Sequence, residues 1–139
     1  LDMVDSNWAV AGNAGGVEET GQLAMRISDP HGEDRKMGLL PCRVCSLDEN
    51  FIVVKNDSRI ALSNDLGGFH FYGADICLQA EIRGYSAYVI DFHLRHLSGG
   101  KIDEVFFEAQ SRFETKWRKA LRRRHITTTC TRVRIKGSL

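Results

Sequence analysis

No apolar run in this chain approaches the roughly 18 residues that a membrane-spanning helix needs. The N-terminus also lacks the charged, then apolar, then small-residue order of a secretory signal. Together these point to a cytoplasmic protein, with the membrane surface as its only expected lipid contact. The four cysteines (Cys42, Cys45, Cys77 and Cys130) are too unevenly spaced for a disulfide framework, which agrees with a reducing compartment. There is no internal repeat and no low-complexity segment. No serine lies in a Gly-x-Ser-x-Gly elbow, so a hydrolase nucleophile of that kind is excluded. The glycine-rich stretch Gly12-Asn-Ala-Gly15-Gly16 is followed by neither Gly-Lys-Ser/Thr nor a helical pattern, and reads as a tight turn rather than a phosphate loop.

What is present is the composition of an ordinary globular domain: 139 residues, 42% hydrophobic and 27% charged. A net charge of +1 hides an asymmetry. Residues 118–139 hold eight of the 19 Lys/Arg and none of the 18 acids, so residues 1–117 carry 11 basic against 18 acidic groups, or −7. The basic end suits phosphates, anionic lipid or an acidic partner, or is simply a solvated tail.

Strands are expected at about 7–12, 23–27, 42–46, 51–55 and 87–92, with a turn at Ser28-Asp29-Pro30-His31-Gly32 and an exposed loop over Glu33–Met37. A helix over about 74–83 should bury Ile76, Leu78, Ala80 and Ile82 and turn Gln79, Glu81 and Arg83 to water. A longer helix over about 103–124 carries Phe106, Ala109, Phe113, Trp117 and Leu121 on one face. The segment 126–135, rich in Thr and Val, is a last strand or a disordered tail. Strands interleaved with two helices predict an α/β fold with a mixed β-sheet and flanking helices. The expected division is a body over 1–125 and a basic tail over 126–139.

Cys42-x-x-Cys45 with His93-x-x-His96 offers the ligand types of a zinc site, but the cysteines fit a strand better than a knuckle turn. The carboxylates and His96 form a better constellation. Asp48 and Glu49 sit in a strand-to-strand loop, Asp75 at a helix start and His96 beyond a strand. A carboxylate at a helix mouth can take the proton of an attacking hydroxyl, and carboxylate with imidazole can hold a divalent cation. The bland alternative makes Asp75 a helix cap and puts His96 in a turn.

Read in order, these residues resemble the acceptor-side half of a GT-A-fold glycosyltransferase of the family 2 type. The resemblance rests on Trp8-Ala-Val-Ala-Gly12, Ser46-Leu47-Asp48-Glu49-Asn50-Phe51, Phe69-His70-Phe71-Tyr72-Gly73-Ala74-Asp75, Gly84-Tyr85, and His96-x-Ser98-Gly99, and covers about residues 7–117. It implies inverting transfer of a sugar from a UDP- or GDP-type nucleotide-diphosphate donor to an acceptor hydroxyl, with Mn²⁺ or Mg²⁺. It makes Asp75 the catalytic base and His96 a metal or diphosphate ligand, and sets Trp8, Asp48, His70, Tyr72 and Ser98 around the acceptor. The family's preceding nucleotide-binding half has an Asp-x-Asp motif, and no Asp-x-Asp occurs here. The resemblance therefore implies the C-terminal piece of a longer enzyme or a degenerate homologue, poor in catalysis alone. The rival reading is a non-catalytic binding module of the same fold, using its basic tail to hold an anionic partner.

Overall fold

Trp8-Ala-Val-Ala-Gly12 is an unbroken apolar run, the pattern of a strand covered on both faces. In the computed structural model, which describes residues 1–18 and 20–137, it is the inner strand β1 (Trp8–Gly12). It pairs in parallel with β8 (Ser86–Val89) and antiparallel with β7 (Ile52–Val54), while β5 (Cys42–Val44) closes the far side of β8. A second sheet runs β4 (Gly32–Met37), β3 (Leu23–Asp29), β2 (Ala14–Gly16) and β6 (Ser46–Leu47), with β9 (Leu94–Arg95) added in parallel to β3. The helices are α1 (Tyr72–Ile82) and α2 (Glu104–Trp117), and a single 3₁₀ turn spans Asn56–Ser58. A hairpin of β10 (Arg124–Thr127) and β11 (Arg132–Ile135) ends the fold. The mixed α/β architecture expected from the sequence is therefore present.

Five local expectations need correcting. The helix α1 is not amphipathic: every residue from Gly73 to Leu78 is buried, and so is Ala80. It lies between two packed clusters, giving Ala74 and Leu78 to one and Ile76, Cys77 and Ala80 to the other. Only Ile82, 58% exposed, faces water against expectation.

The loop expected over 33–37 is a strand, because ion pairs supply what apolar alternation does not. Arg26 binds both Asp34 and Asp91, Lys36 reaches Asp91 at 2.6 Å, and Arg35 reaches Asp29 at 2.8 Å. The glycine-rich turn is strand β2. A side chain on Gly16 would overlap the Thr127 carbonyl, so glycine here permits close packing of β2 on β10.

The long helix stops at Trp117 rather than 124, since the chain then turns into β10. Its start is set by Asp103, whose carboxylate accepts from Phe106 N at 3.2 Å. Phe106, Ala109, Phe113 and Trp117 are buried as the periodicity predicts, with Leu121 packed beside them. Finally, the boundary expected at 125/126 falls inside β10. Ile126, Val133 and Ile135 are wholly buried against Phe113, so residues 126–135 complete the core instead of trailing from it. The last two residues of the expected tail, 138–139, lie outside the described residues.

Candidate ligand cleft

The turn after β6 joins three elements through two adjacent carboxyl groups. Asp48 is anchored by its own N–H, which donates to Ala14 O at 2.9 Å. One carboxylate oxygen accepts from Asn50 N at 3.1 Å, and the other accepts the Thr129 hydroxyl at 2.7 Å. That second bond ties the turn to the tip of the β10–β11 hairpin.

Glu49 ties it to the mouth of α1. Its side-chain Oε1 accepts from Gly73 N at 3.1 Å, and its carbonyl accepts the Tyr72 hydroxyl at 2.8 Å. Glycine is required at 73, because a side chain there would overlap the Leu47 carbonyl. Burial raises the Glu49 pKa from near 4.5 to about 7, opposed by the Gly73 hydrogen bond and reinforced by the charge of Asp48. Tyr72 is also pushed up, by burial and then by Glu49 and Asp48. The site thus holds a carboxyl group that is part protonated at neutral pH.

Two adjoining recesses open beside this turn and share Thr129 and Cys130. The larger, about 170 Å³, has an apolar floor of Leu23, Met25 and Ile27, with Asp48, His96 and Ser98 on its walls. The smaller is bounded by Glu49, His70, Phe71 and Phe106. His70 stands edge-on to the Phe106 ring, 5.2 Å between centroids. The 96–100 loop is held by His96 N donating to Ser28 O at 2.8 Å and by a His31 Nε2 contact to Gly99 O at 3.1 Å. Of the residues expected around an acceptor, Asp48, His70, Tyr72 and Ser98 are thus gathered here, together with His96.

Trp8 and Asp75 are elsewhere. Trp8 begins β1 and lines neither recess. Its indole N–H donates to Asp2 at 3.1 Å and Lys55 sits 5.4 Å over the ring. Asp75 lies beneath the cleft, 1% exposed, and accepts from four donors. These are Ser63 Oγ at 2.6 Å and Gln79 Nε2, Lys116 Nζ and Trp117 Nε1, each at 2.8 Å. With both oxygens shared among four donors it faces no open space, and it joins α1 to α2. Thr129 and Cys130 were missed because a Thr-rich stretch carries no mark of a hairpin tip, and only the fold brings it to Asp48.

The expected metal role of His96 is corrected by the donor set. Among the described residues, no three His, Cys, Asp or Glu side chains gather to hold an ion. Cys42 and Cys45 are not a zinc knuckle either, since Cys45 Sγ points at Gly16 O and Thr127 O.

No family model matches the chain. It is 43% identical over 124 residues, 86% of its length, to a protein of Fuscovulum blasticum named "ATP synthase subunits region ORF 6". The chain spans about half the length of that curated relative, 50%. That name points to ATP synthase and not to sugar transfer. It overturns the expected glycosyltransferase activity, and with it the role of Asp75 as a transfer base. No helix among the described residues is long and apolar enough to cross a membrane.

Proposed function

We propose that this chain is a binding module, with the cleft over Asp48 and Glu49 as its ligand seat. The observation that carries this reading is the division of labour between carboxyl groups. Asp75 is spent on four donors, whereas Asp48 lines the larger recess and Glu49, part protonated at neutral pH, lines the smaller one beside it. Asp48, beside His96 and Ser98 over an apolar floor, suits a small hydroxyl-bearing molecule from which it accepts, and Glu49 in the adjoining recess can donate to a hydroxyl when protonated. For the body we propose the acceptor-side half of a GT-A-type fold. Parallel β1 and β8 with α1 between them, and the 46–51 turn at the helix mouth, support that reading of the architecture.

The test is backbone NMR during titration with simple polyols and free sugars. Shifts confined to residues 48–50, 70–73, 96–100 and 128–131 are expected. Asp48→Ala should weaken binding by about tenfold or more, the effect of removing a hydrogen bond to a charged group. A ligand that moves none of these amides would place the seat elsewhere.

The relative's name favours a second reading, in which the module serves ATP synthase. Co-sedimentation of the chain with ATP synthase subunits tests it, and absence of any complex would count against it.

A further inference from the structure

The outer face of the C-terminal hairpin is a basic plane. In β11, Val133 and Ile135 turn inward and are wholly buried, so Arg132, Arg134 and Lys136 turn outward. Across the ladder, His125 stands opposite Arg134, and Arg124 opposite Ile135 on the inner side. Arg124 is consumed there by Glu18 and by Glu81 at 2.7 Å. The register continues past β10. Gly137 comes so close to the turn before it that an added Cβ would lie 2.6 Å from Arg123 N, which sets Arg122 and Arg123 beside Lys136. Arg122, Arg123, Arg132, Arg134 and Lys136 are all exposed, and none makes an ion pair among the described residues.

We infer that this face docks the chain on an anionic lipid surface. Three features favour a membrane over other polyanions. Arg132, Arg134 and Lys136 lie on one side of a two-stranded ribbon, a plane matched to a plane rather than a ridge fitted to a groove. No Phe, Tyr or Trp occurs in 118–139, so the face lacks the large aromatic platforms on which successive bases stack. The remainder of the chain carries −7 against this end, so a uniformly negative surface orients the molecule with the hairpin facing it. No large apolar side chain is exposed among the described residues of 118–137, so attachment is coulombic, peripheral and reversed by salt.

The full chain is sedimented with phosphatidylcholine vesicles with and without about one-third phosphatidylserine, at about 0.15 M and about 0.5 M salt. Binding is expected only to the anionic vesicles and only at the lower salt. Arg134→Gln should weaken it about fivefold and the Arg132→Gln/Arg134→Gln pair about 25-fold, at roughly fivefold per cation. Arg112→Gln, an exposed cation on α2, should leave it unchanged, and so should Arg132→Lys/Arg134→Lys. Thermal melts confirm that each variant is folded.

No binding of the folded chain to anionic vesicles overturns the inference. Equal weakening by Arg112→Gln, or loss with the lysine pair, overturns it as well. Tighter binding of a short DNA duplex through the same two arginines would assign the face to nucleic acid instead.

Discussion

Glu49 and Asp75 are both largely buried carboxyl groups, yet their surroundings give them different roles. Glu49 has one backbone N–H on its side chain and Asp48 beside it, so burial dominates and its proton is held to about pH 7. A carboxyl whose folded pKa is raised binds more protons in the native state between about pH 4.5 and 7. Stability from this group therefore falls as pH rises through that window, and levels off above it. The full effect is on the order of 3 kcal/mol. Glu49→Gln still accepts from Gly73 N and should flatten the dependence and raise stability at pH 8, as read from urea midpoints across pH 5–8. An unchanged slope would remove Glu49 as its source. Asp75 is instead a junction whose loss leaves the buried Trp117 indole N–H without an acceptor, while Lys116 keeps Asp65 at 2.8 Å. Asp75→Ala should cost about 1–3 kcal/mol, the range for leaving a buried donor unsatisfied. Asp75→Asn should lose less, since its amide oxygen can still accept from Trp117. Equal losses from the two would mean that the side chain's size, not its acceptor, is what matters.

At the scale of elements, α2 and the hairpin depend on each other. Trp117 is buried between them and hydrogen-bonded to α1, so Trp117→Ala should cost about 3–5 kcal/mol in a denaturant titration. Gly16→Ala places a methyl group against the Thr127 carbonyl and should loosen the hairpin. Faster amide exchange at Ile126 and Val133 than in β1 would report it. The stripe that defines α2 was legible because its period is long, clean and capped by Asp103. So was β1, from an unbroken apolar run. The strand β4 was not legible, since its polar residues do not alternate with apolar ones and two of its cross-links run through Asp91, which is distant in sequence. Nor was the burial of α1 from Gly73 to Leu78: a helix rich in Ala, Cys and Ile looks amphipathic until both its neighbours are known. The cleft was half legible. Asp48, His70, Tyr72, His96 and Ser98 were found because they fall in order along the chain. Thr129 and Cys130 reach it only through a hairpin whose sequence reads equally as a tail.

Across the whole molecule, charge and core are arranged at cross purposes in sequence but not in space. The basic segment 122–136 supplies both the exposed cations and three of the side chains that seal the core, Ile126, Val133 and Ile135. This has a consequence for how the protein is made. A growing chain emerges from the ribosome N-terminus first, and Phe113 and Trp117 leave the exit before the residues that cover them. Until residue 135 is free, α2 has an uncovered apolar side, and the nascent chain is a client for any chaperone that waits at the tunnel mouth. Arrested chains ending in a linker after residue 123 should stay protease-sensitive, whereas chains released past residue 137 should become resistant in a single step. Resistance already complete at 123 would mean that the body folds without its hairpin.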